Sequence, residues 1–238
     1  YIPNKISYLT YETGTKFINI GNHLIYSSNK HGRPNLYEYD NQGKHMLIYR
    51  DAMDPFLYNG KLTALRDSLG NEFFFATDPN LNKKLNSPIK GIFSFNEGRL
   101  LVVHLKLDDG IYLINRGTEG KRLILPDVKV LHQATFSYMY NILILNYDDM
   151  LISVNLSNWE ITEVARNPSH SKLNPYINGD YLFFCNNQDS EYFQIYKKHL
   201  GNKKEPIVIY ARNRDLKMPK WRNGYLFFIE VIDGEYLL

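Results

Sequence analysis

The chain has 238 residues, of which 44% are apolar and 22% charged, and its formal net charge is +3. This size and composition allow one globular domain with a substantial buried core, and no apolar run approaches the ~18 residues that a membrane-spanning helix requires. The 28 lysines and arginines are spread along the chain rather than gathered into a stripe, which argues against a nucleic-acid partner.

The first predicted element is an alternating strand over residues 6–11,. After it, a turn residue followed by a dense apolar run recurs six times. These runs begin at Gly21, Gly60, Gly98, Tyr140, Gly179 and Gly224, with successive spacings of 39, 38, 42, 39 and 45 residues. A period of about forty residues is the length of one propeller blade.

Each repeat has the same order of short strands, which we label a to d, and the apolar run is strand b. Strand a is predicted at residues 16–20, 55–58, 92–95, 135–139, 174–177 and 218–221, and strand c at 36–39, 73–76, 111–114, 151–155, 192–196 and 235–238. Strand d is predicted at 45–49, 122–125, 161–164 and 206–210, whereas residues 80–88 of the second repeat have the composition of a loop. Short strands separated by polar turns indicate hairpins, and no segment has helical periodicity, so the sequence predicts an all-β protein.

We therefore predict a single β-propeller domain over residues 1–238, built of about six four-stranded antiparallel blades. The expected blade bounds are about 13–50, 51–90, 91–129, 130–167, 168–212 and 213–238. The sixth repeat ends after strand c, and residues 1–12 would supply its outer strand and close the ring, which removes exposed sheet edges. The alternative is that the chain continues beyond Leu238 in a longer protein; closure is the favoured interpretation.

Two stretches resemble the repeat of TolB-like propellers. Residues 26–43, YSSNKHGRPNLYEYDNQG, pair a strand ending in Ser-Asn with a Gly turn, then a Leu-Tyr strand ending in Asp and a further Gly; residues 178–187 and 192–197 are similar to repeats of a bacterial propeller family. The third and fourth repeats lack the Gly-Asn-x-Tyr turn. The resemblance implies a six-bladed interaction platform. Similar repeats form the propeller domain of prolyl-oligopeptidase-like serine peptidases, whose nucleophile lies outside the propeller.

The sequence contains no Gly-x-Ser-x-Gly, His-Glu-x-x-His, Cys-x-x-Cys, phosphate-loop or calcium-loop motif,. His23 and His104 lie in predicted strands, where a lone histidine is more often structural than a metal ligand. The single cysteine, Cys185, also lies in a predicted strand, which indicates a buried, inert thiol,. We therefore assign no catalytic residue, no metal site and no cofactor to the chain.

Charged residues recur in the b–c turns and in the links from strand d to the next strand a, which share one face of a propeller. The acidic turn residues are Asp67, Asp108, Asp109, Asp148, Asp149, Asp189 and Asp233. The first blade instead carries Lys30, His31 and Arg33, and Arg214 lies in a link. As a functional site, this rim would bind a partner that carries both charges. The alternative, to which we give more weight, is turn chemistry, because an aspartate side chain caps tight turns.

The first hypothesis for function is a non-catalytic propeller that binds a protein or peptide on this face. The second is the substrate-gating domain of a prolyl-oligopeptidase-like serine peptidase whose catalytic domain is absent from this chain. A third, a carbohydrate-active propeller, needs inner-strand carboxylates, but the predicted inner strands are aromatic at residues 56–58, 93–95 and 136–138. These rings predict a partly filled channel. Compartment and oligomeric state do not follow from the sequence.

Overall fold

The structure is a computed structural model. It describes residues 17–20, 23–28, 34–39, 44–58, 61–66, 72–75, 83–84, 89–96, 99–115, 120–167, 173–188, 190–222, 224–232 and 235–237. The chain divides into two compact units, Tyr1–Asp127 and Val128–Leu238, and each unit is described by itself below. The strands are numbered in chain order.

The described residues of the first unit form three four-stranded antiparallel sheets. In each sheet the strands follow one another in sequence order. Sheet 1 contains β1 Phe17–Ile20, β2 His23–Ser28, β3 Asn35–Tyr39 and β4 His45–Tyr49. Sheet 2 contains β5 Ala52–Tyr58, β6 Lys61–Arg66, β7 Glu72–Phe75 and β8 Lys83–Lys84, and sheet 3 contains β9 Ile89–Phe95, β10 Leu100–Leu105, β11 Ile111–Asn115 and β12 Gly120–Leu125.

The described residues of the second unit form two four-stranded antiparallel sheets and a three-stranded one. Sheet 4 contains β13 Leu131–Ser137, β14 Ile142–Tyr147, β15 Met150–Asn155 and β16 Ile161–Arg166. Sheet 5 contains β17 Tyr176–Asn178, β18 Tyr181–Asn186, β19 Gln194–His199 and β20 Ile207–Tyr210. Sheet 6 contains β21 Asp215–Arg222, β22 Tyr225–Ile232 and β23 Glu235–Leu237.

The predictions of an all-β chain and of four-stranded antiparallel sheets are confirmed. In sheet 2, however, the predicted loop over residues 80–88 contains a short outer strand, in which Lys83 pairs with Phe73 and Lys84 with Glu72. Backbone pairing does not require apolar side chains, and lysines are common on edge strands. The predicted closing strand at residues 6–11 lies outside the described residues, so ring closure by residues 1–12 stays a prediction.

Four first strands start earlier than predicted. β5 begins at Ala52, β9 at Ile89, β13 at Leu131 and β21 at Asp215, whereas the predicted starts are residues 55, 92, 135 and 218. In β5 and β21 the added residues precede a proline, and a proline is rare inside a strand because it has no N–H to donate. The structure places Pro55 and Pro219 at register shifts, where the pairing slips between Met53 and Phe56 and between residues 217 and 220.

A second irregularity repeats between the third and fourth strands of four sheets. The register shifts directly after a buried aliphatic residue at the start of the third strand; these residues are Leu36, Ile111, Leu151 and Ile195. All four are 0% exposed. Such a bulge increases the local twist of a strand pair, so the repeat includes a fixed bend next to a fixed core position.

Neighbouring sheets pack face to face within each unit. In the first unit, Leu36 of sheet 1 packs with Ala52 and Ala64 of sheet 2, and Phe56 of sheet 2 packs with Ile92 of sheet 3. In the second unit, one larger cluster joins sheets 4, 5 and 6; its largest buried members include Ile144, Leu151, Leu182, Phe184, Ile195 and Leu216. Burial of these apolar side chains is the main stabilising contribution to each unit.

Candidate functional site

The predicted site lies at one end of the sheets. In each antiparallel sheet, the turn between the second and third strands lies at the same end as the link that leads to the next sheet. We call this end of a sheet its b–c end. The opposite end carries the turn between the first and second strands and the turn between the third and fourth strands, and we call it the a–b end.

In sheet 3, the two predicted aspartates occupy one turn. The backbone N–H of Gly110 donates a hydrogen bond to Oδ1 of Asp108 at 3.1 Å, and the Tyr112 hydroxyl donates to Oδ2 of the same carboxylate. The Tyr112 bond, followed by smaller contributions that include the Gly110 bond, lowers the pKa of Asp108 below its usual value. The carboxylate of Asp109 forms an ion pair with Lys90 at the start of β9.

The apex of the same turn displays an apolar side chain. Leu107 is 81% exposed, and it lies between the exposed Lys106 and Asp108. The bonds of Asp108 to Gly110 and Tyr112 fix the backbone directly after Leu107. The turn therefore holds a leucine in solvent on a constrained backbone.

In sheet 4, Asp148 joins its turn to the link that precedes β13. Its Oδ1 accepts a hydrogen bond from the Val130 N–H at 2.8 Å, and its Oδ2 accepts one from the Lys129 N–H at 3.4 Å. The Asp148 N–H in turn donates to the Val130 carbonyl at 2.9 Å, and Nε2 of His132 lies 3.2 Å from the Asp148 carbonyl oxygen. Asp148 has a φ of +44°, a conformation that Asp and Asn tolerate better than most residues.

The next residue, Asp149, has a weaker side-chain contact. Its carboxylate lies 3.7 Å from the Arg166 guanidinium, which also pairs with Glu163 at 2.9 Å. The Asp149 carbonyl accepts a hydrogen bond from the Asn167 N–H at 2.8 Å. Exposed ion pairs of this kind contribute little to stability, so the Asp149 side chain is available at the surface.

Buried asparagines connect sheets 4 and 5 at the same end. Oδ1 of Asn146 accepts from the Leu173 N–H at 3.0 Å, and Nδ2 of Asn167 donates to Oδ1 of Asn186 at 2.9 Å. All three asparagines are buried. The sequence analysis missed them, although Asn146 and Asn186 each end an apolar run at the end of a second strand, which is the signal that could have identified them.

The link into sheet 6 carries two arginines at this end. Arg212 and Arg214 each lie 3.8 Å from Oε1 of Glu230 on β22. Oδ1 of Asp215 accepts a hydrogen bond from the Phe193 N–H of sheet 5 at 3.2 Å. Both arginines are exposed, whereas Glu230 is mostly buried.

The structure describes only part of the predicted rim. Asp108 and Asp109 share one turn of the first unit, and Asp148 and Asp149 share one turn of the second unit. Arg214 also belongs to the second unit, where it lies in the link that precedes β21. The remaining predicted residues lie outside the described part of the chain: Lys30, His31, Arg33, Asp67, Asp189 and Asp233. Each described aspartate has a hydrogen-bonding or ionic partner.

Three further predictions concern individual side chains. Cys185 is buried in a strand, as predicted, and His104 lies in a strand, as predicted, where its side chain is buried. The prediction that residues 136–138 form an inner strand is wrong for its last residue. β13 ends at Ser137, and Tyr138 is 61% exposed in the a–b turn, because the chain reverses there before the aromatic alternation ends. Filling of a channel by Phe and Tyr rings stays a prediction.

Within the described ranges, no group of three or more His, Cys, Asp or Glu side chains is arranged to hold a metal ion. The part of the chain that the structure describes also contains no helix long and apolar enough to cross a membrane.

No protein-family model matches the sequence, and no curated protein matches it. The structure, by contrast, matches several solved structures. The match to TolB from Acinetobacter baumannii covers 75% of this chain and 49% of the TolB chain, with a TM-score of 0.54 and 14% sequence identity. The match to a puromycin-hydrolyzing peptidase from Mycobacterium tuberculosis covers 93% of this chain and 45% of the peptidase chain, with a TM-score of 0.62 and 10% sequence identity.

The match to a chain of a nidogen/laminin complex covers 81% of this chain and 77% of that one, with a TM-score of 0.54 and 13% sequence identity. The chain spans about half the length of the TolB and peptidase chains that it matches. At these identities the matches establish the fold and leave function to be argued separately. Together with the antiparallel sheets of the described residues, they show that this chain has the β-propeller fold of TolB-like proteins.

Proposed function

We propose that this chain is a non-catalytic propeller domain that binds a protein or peptide at the b–c end of its sheets. The observation that carries the proposal is the exposed Leu107 at the apex of a turn that Asp108 constrains. A single exposed apolar residue is common on protein surfaces. This one lies on a fixed backbone, so its burial against a partner costs little additional ordering of the chain.

The charged residues around Leu107 support binding at the same surface. Lys106 precedes Leu107, and the ion pair of Asp109 with Lys90 lies beside the turn. An apolar side chain surrounded by charges of both signs has the composition of a recognition surface, in which the apolar residue supplies binding energy and the charges supply specificity. The nidogen/laminin complex is an assembly of proteins by its description, which is compatible with a propeller that binds protein.

The proposal is tested by selecting peptides from a random display library against the immobilised chain. The affinity of each enriched peptide is then measured by fluorescence anisotropy for the unchanged chain and for Leu107→Ser. We expect Leu107→Ser to weaken binding by about tenfold, as loss of a central apolar anchor does. Ile161→Ser, which removes an exposed isoleucine from the outer strand of sheet 4, is the matched control and should leave the affinity unchanged. Enriched peptides that bind all three proteins equally would exclude this surface.

The second candidate is the substrate-gating propeller of a serine peptidase. It is supported by the match of 93% of this chain to 45% of the puromycin-hydrolyzing peptidase, because the other part of such a protein can hold the catalytic domain. The test is the coding sequence on both sides of the region that encodes residues 1–238. A Gly-x-Ser-x-Gly motif there, with labelling of the full-length product by a fluorophosphonate probe, would decide for the peptidase. Absence of labelling would decide against it.

A further inference from the structure

Aromatic and basic side chains lie together at the a–b end of sheets 4 and 5, in the second unit, whereas Leu107 belongs to the first. The turn between β13 and β14 carries Tyr138, Met139 and Tyr140, and the third strand and following turn of sheet 5 carry Lys198, Lys203 and Lys204. We call these six residues the tyrosine–lysine surface. All six belong to the second unit.

The two turns are in direct contact. The Tyr140 hydroxyl donates a hydrogen bond to Oδ1 of Asp180 at 2.8 Å, and the Tyr140 ring lies edge-on to His199 with 6.2 Å between the ring centroids. Gly201 lies so close to this ring that an added Cβ would be 2.8 Å from a Tyr140 carbon. Through Tyr140, the turn of sheet 4 therefore packs on the turns of sheet 5 at this end.

The apolar part of the surface is exposed. Tyr138 is 61% exposed and Met139 is 72% exposed. The Tyr138 ring packs edge-on against Phe136, with 4.9 Å between centroids, so its orientation is set by the strand below it. Exposed tyrosine and methionine side chains are typical anchors of protein interfaces, because the ring is rigid and the thioether adapts to its partner.

The basic part is held on a fixed turn. The Gly201 N–H donates to Nδ1 of His199 at 2.9 Å, the Lys204 N–H donates to Oδ1 of Asn202 at 3.1 Å, and Nζ of Lys198 donates to the Lys204 carbonyl at 2.6 Å. Lys203 and Lys204 are both exposed. Considering only described residues, no carboxylate lies within ion-pair distance of any of these three lysines.

We propose that the tyrosine–lysine surface binds an acidic peptide segment of a protein partner, whose apolar side chain contacts Tyr138 and Met139 and whose carboxylates pair with Lys203 and Lys204. The lysines have no charge partner among the described residues, so an acidic ligand satisfies them without breaking an existing pair.

A nucleic acid is the other ligand with negative charge and stacking capacity. Recognition of a single strand requires a basic groove that follows a phosphate backbone over several nucleotides. Here Asp180 accepts the hydrogen bond of the Tyr140 hydroxyl and Glu205 directly follows Lys204, so two carboxylates interrupt such a path. The arrangement favours a peptide with separate acidic and apolar side chains.

The experiment measures the fluorescence anisotropy of a short labelled peptide of alternating glutamate and leucine on addition of the full chain, at two salt concentrations. We expect saturable binding that weakens with salt. The double variant Lys203→Glu/Lys204→Glu and the double variant Tyr138→Ser/Met139→Ser should each weaken binding by about tenfold or more. Lys44→Glu/Lys61→Glu, which makes the same charge change at two exposed lysines of the first unit, should bind as the unchanged chain does. Thermal unfolding verifies that every variant is folded.

Several results would overturn the proposal. One is equal binding of a peptide in which lysine replaces glutamate; another is tighter binding of an oligothymidylate of similar length, which would assign the surface to nucleic acid. Peptide affinity that is the same for all folded variants would exclude the surface altogether. Leu107 belongs to the first unit and the tyrosine–lysine surface to the second, and the two share no residue, so this outcome is separate from the test of Leu107.

Discussion

Asn167 donates a hydrogen bond from Nδ2 to Oδ1 of Asn186, 2.9 Å away, and both side chains are buried where sheets 4 and 5 meet at the b–c end. A buried amide that loses its partner costs its full desolvation penalty. The bond therefore contributes to the stability of the second unit and positions the adjacent b–c turn.

We expect Asn167→Ala to lower the free energy of unfolding by about 1–3 kcal/mol, because it removes the hydrogen bonds that Nδ2 of this buried side chain donates to Asn186 and Asn187,. Asn186→Ala should act similarly, and the double variant should cost less than the sum, because the two residues share one bond. Denaturant unfolding of the full chain measures each value. Asn178→Ala, at an exposed asparagine of the same sheet, is the control and should change stability by less than about 0.5 kcal/mol. Strict additivity of the two single variants would contradict the coupling.

Substitution of Asp148 distinguishes two interpretations of this residue, a cap of its own turn and a member of a binding rim. Asp148→Ala removes the acceptor of the Val130 and Lys129 N–H groups and puts alanine at a positive φ, so we expect a loss of about 1–3 kcal/mol. Asp148→Asn keeps an acceptor and tolerates this φ, and it should lose less. The control, Asp149→Ala, removes only an exposed pair and should cost at most about 0.5 kcal/mol. Equal stability of Asp148→Ala and the unchanged chain would contradict the turn-chemistry interpretation.

The pKa of Asp108 should depend on Tyr112. The Tyr112 bond lowers the pKa of this carboxyl below its usual 3.8. Because the folded-state pKa is the lower one, the bond contributes stability above the usual pKa, and this contribution disappears as the pH falls through the folded-state pKa. We expect Tyr112→Phe to raise the pKa of Asp108 toward 3.8 and to remove this acid-dependent stability, measured by carboxyl NMR titration and by unfolding at several pH values. Tyr138→Phe is the matched control; an unchanged Asp108 pKa in Tyr112→Phe would be the contradicting result.

The same bond acts in the opposite direction on Tyr112. Its hydrogen bond to Asp108 raises the pKa of the Tyr112 hydroxyl above 10.0. A folded-state pKa above that of the unfolded chain gives stability that is present below the unfolded-state pKa and is lost as the pH rises through the folded-state value. Ultraviolet titration of Tyr112 in the unchanged chain and in Asp108→Asn should therefore show a higher pKa in the unchanged chain.

The repeated core position at the start of the third strands should be the most sensitive to truncation. We expect Ile195→Ala to lower the free energy of unfolding by about 2–5 kcal/mol. Ile195 is 0% exposed, and truncation of its side chain leaves a cavity beside a register shift,. Ile161→Ala, at an exposed isoleucine in the outer strand of sheet 4, should cost less than about 0.5 kcal/mol. Comparable losses for the two variants would show that the repeated position has no special role.

Ring closure by residues 1–12 is open to a direct measurement. A thermal melt of the chain is compared with that of a version that lacks these residues. If they supply the outer strand of the sixth blade, deletion should lower Tm by many degrees, since it exposes the edge of sheet 6. An unchanged Tm would contradict closure and would favour the alternative of a longer parent protein.

Much of the fold follows from local pattern. The period of about forty residues, the alternation within strands and the polar turns identify the second strands well, because side-chain direction in a strand depends only on position along it. The errors lie at strand ends and in irregular pairing. β5 and β21 begin three residues before their predicted starts and accommodate Pro55 and Pro219 at register shifts. Lys83 and Lys84 looked like loop, but they pair with β7 through the backbone alone.

The sequence by itself determined the all-β class, the repeat and the burial of residues such as Cys185, since these depend on composition and on spacing between near neighbours. Tertiary structure alone decided which polar groups are paired. Asn146 bonds to the N–H of Leu173, and Asn167 bonds to Asn186, across 27 and 19 residues of chain. It also brought Tyr140 against Gly201 of the next sheet. The physical reason is that these contacts join residues of neighbouring sheets, so they depend on the packing of the sheets and leave no periodic signal in the sequence.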